Sequence, residues 1–161
     1  TPLYSSAASD VYKRQRLEYE ASRRSWLQWG GEETMDSYRR RGFDGPPDHH
    51  LDWLLGLPTI FRDEAQGLVF VHGGVDPDTF PACGERVQMW TRRKEFFDTG
   101  CWTAPDLIGQ TVVHGHSPTQ DSLPDMAADG RRINVDTGAV FGGRLTAAIL
   151  VPGAAPRFLH S

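Results

Sequence analysis

The stretch Leu68-Val69-Phe70-Val71-His72-Gly73-Gly74 places four apolar residues directly before a histidine and two glycines. Such a short continuous apolar run indicates a strand that is buried on both faces. The two glycines allow the backbone to turn sharply where this strand ends. The histidine is therefore expected at the carboxyl end of a buried strand, which is where ligand sites of α/β proteins tend to lie.

Two later stretches repeat this arrangement. Thr111-Val112-Val113 leads into His114-Gly115-His116, and Ile133-Asn134-Val135 leads into Asp136-Thr137-Gly138. If these strands are neighbours, two of their histidines can approach one metal ion at about 2.0–2.1 Å, because neutral imidazole is the commonest metal ligand. Each residue alone also has a structural interpretation, in which the histidines cap turns and the aspartate forms an Asx turn.

The segments before Leu57 have helical patterns. Apolar residues three and four positions apart predict helices, with Gly30-Gly31 ending the first and Pro58 ending the last. The predicted helices cover residues 23–29, 32–41 and 48–55.

Extended patterns dominate after Leu57, where β-branched and apolar runs alternate with turns. Strands are predicted over residues 59–62, 68–71, 111–113, 132–135, 144–151 and 156–159, the first two as a hairpin. Residues 77–97 are predicted as a loop followed by a short helix. Helices followed by strands favour an α/β or α+β fold with buried sheets.

Composition limits the function classes. The 161 residues correspond to about one domain, and the net charge of −4 with pI ≈ 5.8 argues against coating of nucleic acid or anionic membranes. No run of 18 apolar residues occurs, so no membrane span is predicted. The only cysteines, Cys83 and Cys101, form no Cys-x-x-Cys zinc pattern and are expected to be inert thiols. A cytoplasmic protein is expected.

The first 15 residues differ from the rest of the chain. They contain one of only two lysines in a chain with 15 arginines, several serines, and no periodic apolar pattern. The segment Asp10-Val11-Tyr12-Lys13-Arg14-Gln15 resembles a translated sequencing adapter, which would exclude residues 1–15 from the fold. A disordered tail is the alternative, and a signal peptide is disfavoured because no apolar h-region is present.

Five short motifs follow one another between residues 72 and 147. They are His72-Gly73-Gly74-Val75-Asp76-Pro77, Met89-Trp90-Thr91-Arg92, Val113-His114-Gly115-His116-Ser117-Pro118-Thr119, Asn134-Val135-Asp136-Thr137-Gly138 and Gly142-Gly143-Arg144-Leu145-Thr146-Ala147. In this order they resemble the C-terminal half of bacterial serine/threonine phosphatases of the phosphoprotein phosphatase branch of the calcineurin-like metallophosphoesterases. Residues 29–38 fit the same group.

This resemblance implies an α/β fold, specifically a β-sandwich of mixed sheets flanked by helices. It also implies two divalent metal ions, manganese, iron or zinc with manganese favoured, whose bridging hydroxide attacks phosphorus in line. By their motif positions, His72 and His116 match ligands of the same metal ion.

Three further positions carry implied roles. Arg92 matches a phosphate-binding arginine, with Arg93 as the alternative if the register differs by one. His114 is expected to support the metal ligands or to contact substrate, and Asp136 to orient a ligand through hydrogen bonds. Their structural alternatives are a solvated arginine, a strand-end histidine and an Asx turn, respectively.

Three motifs of the family are absent from the sequence, namely Gly-Asp-x-His-Gly, Gly-Asp-x-x-Asp-Arg-Gly and Gly-Asn-His-Glu. They supply the other metal site and the histidine acid, so no catalytic acid is assigned here. The resemblance begins near Arg16, just after the adapter-like segment. The expectation is therefore that residues 16–161 are the C-terminal portion of a single metallophosphoesterase domain and are inactive alone.

The function implied for the parent protein is hydrolysis of phosphomonoesters, with phosphoserine or phosphothreonine proteins as the favoured substrates. The expected partners are a phosphoprotein or a small phosphorylated molecule, with no nucleic acid and no membrane. The alternatives are a dinucleoside polyphosphate hydrolase on the same scaffold and a non-catalytic binding protein that retains it.

Overall fold

The computed structural model of the protein describes residues 21–161, apart from the side chain of Trp29. The adapter-like segment 1–15 lies outside the described residues. The chain divides into two compact units, one ending at Leu57 and the other comprising Pro58–Ser161. No helix within residues 21–161 is long and apolar enough to cross a membrane.

The first unit is helical. It contains α1 (Glu32–Arg39) and α2 (Asp48–Leu55), and a π-helical turn over Leu27–Gly31 precedes α1. The prediction that Gly30-Gly31 ends a helix was wrong, because the backbone N–H of Glu32 donates to the Leu27 carbonyl and the helical path continues into α1.

The second unit contains a five-stranded sheet and a separate antiparallel pair. The five-stranded sheet comprises β1 (Ile60–Asp63), β2 (Leu68–Val71), β3 (Thr111–His114), β4 (Asp125–Met126) and β5 (Arg132–Asn134). The pair consists of β6 (Thr146–Ile149) and β7 (Arg157–His160). Two short helices, α3 (Glu85–Trp90) and α4 (Lys94–Phe97), lie between β2 and β3 in the sequence.

The five-stranded sheet has the strand order β1-β2-β3-β5-β4. Strands β2, β3 and β5 are parallel neighbours, whereas β1 and β4 are antiparallel to the strands beside them. The predicted hairpin is confirmed by the β1–β2 pairing, and the α/β class is confirmed by this mixed sheet with its helices. The face-to-face sandwich of two sheets stays a prediction.

Strand boundaries differ from prediction mainly toward the C-terminus. Residues 144–151 were predicted as one long strand, but β6 covers only Thr146–Ile149. The two-residue β4 has no counterpart in the prediction, because alternation of apolar and polar residues cannot be detected over so short a segment.

The hydrophobic core lies against one face of the sheet. Val69 and Val112 point into it and are fully buried. Phe96 of α4 is also fully buried, and its ring stacks on Trp102 with centroids 5.8 Å apart. Helix α4 is therefore fixed beneath the carboxyl ends of the parallel strands.

Candidate metal and phosphate site

The three parallel strands bring their polar ends to one edge of the sheet. The backbone N–H of Gly115 donates to the His72 carbonyl at 2.9 Å, and that of Val135 donates to the His114 carbonyl at 2.9 Å. These bonds continue the ladder just beyond the strands, so the loops that follow β2, β3 and β5 stay side by side. The three strands are therefore neighbours, which is the condition under which two of their histidines could approach one metal ion.

His72 and His116 form the centre of this edge. Their ring centroids lie 5.0 Å apart, with the planes tilted by 58°. Imidazoles at this spacing can both reach one ion at about 2.0–2.1 Å. The indole of Trp90 packs edge-on against His116 with centroids 5.2 Å apart, and His116 has a φ of 66°, a conformation uncommon outside glycine.

The glycines after His72 serve close packing as well as turning. The N–H of Gly73 donates to the Gln88 carbonyl of α3 at 2.6 Å, and a Cβ at Gly73 would lie 2.9 Å from the Met89 carbonyl. Gly74 has a φ of 145°, and a Cβ there would overlap the Phe96 ring. Only glycine lets this loop lie directly on α3 and α4.

Asp136 forms the Asx turn of its structural interpretation and also faces the site. Its Oδ1 accepts the backbone N–H of Gly138 at 3.0 Å, as in an Asx turn, and its own N–H donates to Asn134 Oδ1 at 3.0 Å. The Asp136 Cβ lies 3.4 Å from where a Cβ of Gly115 would be. The carboxylate is thus held close to the histidine loop by bonds within its own turn.

These side chains share a cavity of about 280 Å³. The polar groups in its wall belong to His72, His116, Asp136, Thr137, Arg144 and Thr146. Arg144 was not assigned a role from the sequence, although it lies within the motif Gly142-Gly143-Arg144. The available signal was the pair Gly142-Gly143 directly before Arg144, because two glycines allow the next residue to lie close to another loop.

The surroundings of His116 favour its neutral imidazole. Burial is the main cause that lowers the pKa of His116, and the nearby His72 and Arg92 lower it further, while Asp136 raises it. A neutral imidazole retains a lone pair for metal coordination. The electrostatic effect of Arg92 also places that arginine near the histidine pair.

Arg92 and Arg93 differ in their partners. Arg93 donates from Nη1 to Asp76 Oδ2 at 2.7 Å and from Nη2 to Asp78 Oδ2 at 3.2 Å. Arg92 has no ion pair with any residue in the range 21–161. Since a guanidinium already bound to two carboxylates is poorly suited to bind a phosphate, the geometry favours Arg92 over Arg93 as the phosphate ligand.

His114 lies in the core behind the site and does not line the cavity. It is 2% exposed, with Nδ1 3.1 Å from the Gly115 carbonyl and Nε2 3.3 Å from Arg132 Nη1. Burial lowers the pKa of His114 to about 4, while the Gly115 carbonyl opposes this effect and Arg132 adds to it. This placement favours a supporting role for His114 over contact with substrate.

The implied metal centre is only partly formed by the described residues. Within residues 21–161, no group of three or more His, Cys, Asp or Glu side chains is arranged to hold a metal ion. His72 and His116 can supply two of about four ligands of a single ion. The residues described here therefore fit part of one metal site and do not form a two-metal centre.

Comparisons with known proteins give one structural match. No protein-family model matches the sequence, and no curated protein matches it significantly. A crystal structure described as that of "a putative diadenosine tetraphosphatase" matches with a TM-score of 0.55 and 22% sequence identity. The match covers 84% of this chain, which spans 64% of the length of the matched chain. At this identity the likeness shows that the two chains share a mixed α/β fold.

Proposed function

We propose that the protein is a metal-dependent phosphoesterase of the calcineurin-like type. The observation that carries this proposal is the pair His72 and His116, whose ring centroids lie 5.0 Å apart at the common edge of three parallel strands. A divalent metal, manganese by preference, would supply Lewis-acid chemistry toward a phosphate when bound there. The second metal ion implied by the motifs remains part of this proposal.

The chain's own side chains have distinct tasks in this function. His72 and His116 present imidazole nitrogens to the metal, with His116 kept neutral by burial. Arg92 binds phosphate oxygens, because its guanidinium is close to His116 and has no carboxylate partner among residues 21–161. His114 donates from Nδ1 to the Gly115 carbonyl and so steadies the loop that carries His116.

Two substrate classes are supported by different observations. The description of the matched structure supports a dinucleoside polyphosphate, and the likeness covers 84% of the chain. The order of the five motifs supports the phosphoprotein phosphatase branch, with phosphoserine or phosphothreonine proteins as substrates in the cytoplasm. We favour the dinucleoside polyphosphate, because the structural likeness extends over more residues than the motifs do.

Metal binding by the 161-residue chain tests the histidine pair directly. Manganese and zinc would be titrated calorimetrically into the wild-type chain, His72→Ala, His116→Ala and the control His49→Ala, an exposed histidine of α2. We expect each site variant to weaken binding by at least about tenfold, since removing one of two ligands leaves a single imidazole. Equal affinity in all four proteins would refute the site.

Substrate class is tested on the full-length gene product that contains this sequence. Hydrolysis of diadenosine tetraphosphate and of a phosphoserine peptide would be compared for the wild type and Arg92→Gln. We expect the dinucleotide to have the higher kcat/KM and Arg92→Gln to lower it. A preference for the peptide would instead support the protein phosphatase, and no hydrolysis of either would support the non-catalytic binding protein.

A further inference from the structure

Arg144 is a second cation at the candidate site. Arg144 lines the cavity of about 280 Å³ together with His72 and His116. This volume is close to the lower end of the roughly 300–1,000 Å³ typical of small-molecule sites. The cavity wall therefore combines a potential metal-binding pair with an arginine from a different segment of the chain.

The backbone of Arg144 is held in place by buried hydrogen bonds. Thr137, which is 2% exposed, donates from Oγ1 to the Arg144 carbonyl and lies 2.7 Å from Thr146 Oγ1. The N–H of Gly143 donates to the Gly138 carbonyl at 2.9 Å, and a Cβ at Gly143 would overlap the Thr137 carbonyl oxygen. Arg144 thus extends from a fixed backbone position beside the Asp136 turn.

The guanidinium of Arg144 is available to an anion. It has no ion pair with the residues in the range 21–161, whereas Arg93 binds Asp76 and Arg132 binds Asp125, each at 2.7 Å. A free guanidinium presents parallel N–H groups that match two oxygens of one phosphate.

The cavity contains one opposing charge, the carboxylate of Asp136. Its Oδ1 already accepts the N–H of Gly138 at 3.0 Å, which satisfies part of its hydrogen-bonding capacity. The carboxylate disfavours an anion that has only one cationic partner. A ligand with several phosphates carries more than one group that a cation can bind, and a second cationic partner would offset this repulsion.

We propose that Arg144 binds a second phosphoryl group of the substrate, so that the site takes a polyphosphate chain and not a lone phosphate. The proposal rests on the phosphoesterase function proposed above and assigns its substrate class. Arg92 binds the phosphoryl group beside the histidine pair, and Arg144 binds a neighbouring phosphoryl group of the same polyphosphate.

Anion binding by the metal-free 161-residue chain tests this proposal. Inorganic tripolyphosphate and orthophosphate would be titrated into the wild type, Arg144→Gln, Arg144→Lys and Arg92→Gln, with Arg157→Gln on exposed β7 as the matched control. We expect Arg144→Gln to weaken tripolyphosphate about tenfold while changing orthophosphate less than about twofold, as loss of one charge-assisted bidentate contact predicts. Arg144→Lys should recover part of the loss, and Arg92→Gln should weaken both anions.

The possible outcomes separate this inference from the proposed function. If orthophosphate binds and Arg92→Gln weakens it, but Arg144→Gln has no selective effect on tripolyphosphate, the phosphate site stands and the role of Arg144 is refuted. Equal weakening of both anions by Arg144→Gln also refutes it. If neither anion binds the wild type, the phosphate-binding roles of Arg92 and Arg144 are both refuted, whereas the histidine pair is tested separately by the metal titration. Circular dichroism melts would confirm that the variants, all at exposed side chains, remain folded.

Discussion

The two faces of the five-stranded sheet are covered to very different extents. The core face is closed by helices and loops, and its residues on the three parallel strands are buried: Val69, Val71, Val112, His114, Arg132 and Asn134. On the open face, Val113 and Ile133 are buried, but the other side chains are half-buried or exposed: Phe61, Leu68, Phe70, Thr111 and Met126. Strand registers place each set on its own side of the sheet.

This difference shows where the candidate site gets its rigidity. Phe96 on the core face touches the position where a Cβ of Gly74 would be and packs edge-on against His114, with centroids 4.8 Å apart. One core side chain therefore contacts the loop after His72 and the strand that leads to His116.

The largest expected effect comes from removing that core side chain. Phe96→Ala should destabilise the chain by about 3–5 kcal/mol, since it deletes a fully buried ring and leaves a cavity. It should also weaken metal binding by His72 and His116, because the loop after His72 loses its support. Urea unfolding gives the first quantity and calorimetric metal titration the second.

The matched control is Phe61→Ala, which removes the same ring from the open face. Phe61 is 57% exposed, so its loss should cost no more than about 1 kcal/mol. It should leave metal affinity unchanged. Similar losses of stability from the two substitutions would contradict the asymmetry between the faces.

Much of the core face could be predicted from local sequence. The apolar runs 68–71 and 111–113 coincide with β2 and β3 to within one residue, because buried parallel strands consist of continuous β-branched and apolar residues. The histidine pair was predicted from the glycines that follow these strands. Each of these features depends on residues adjacent in the chain.

Other features depend on contacts between distant residues, which local patterns do not contain. The availability of Arg92 follows from the engagement of Arg93 by Asp76, 17 positions away. The place of Arg144 in the cavity follows from the bond between Thr137 and its carbonyl. Neither Asp76 nor Thr137 could be identified as the partner from sequence, since several carboxylates and hydroxyls lie at comparable separations along the chain.

A smaller effect is expected from pH, through His114 on the core face. Its pKa is lowered from 6.5 to about 4 by burial, so the folded chain keeps it neutral while the unfolded chain takes up a proton below pH 6.5. The contribution of neutral His114 to the free energy of unfolding is complete above pH 6.5 and declines as pH falls toward 4. It amounts to about 3 kcal/mol over that window. Between about pH 7 and pH 5, urea unfolding should show a loss of about 2 kcal/mol from this residue.

His114→Gln separates this effect from other titrations. Glutamine does not titrate, and the charged neighbours of His114, namely Arg132, Asp125 and Asp136, remain in place. The variant should be less stable at neutral pH but should lose about 2 kcal/mol less than the wild type on acidification. The same pH dependence in both proteins would show that His114 is not held neutral by burial.

The smallest effect on stability is expected on the open face, where the double substitution of Phe61→Lys and Met126→Lys should change the free energy of unfolding by only about 0.5 kcal/mol. Both side chains are about half exposed and lie on β1 and β4, the outer strands of the described sheet. Lysines there oppose pairing between sheet edges and interrupt an exposed apolar surface. Sedimentation velocity should show concentration-dependent association of the wild type and little of the variant. A wild type that stays monomeric at all concentrations would mean that the exposed side chains of the open face do not cause self-association. The two faces would then differ in exposure without a difference in their tendency to associate.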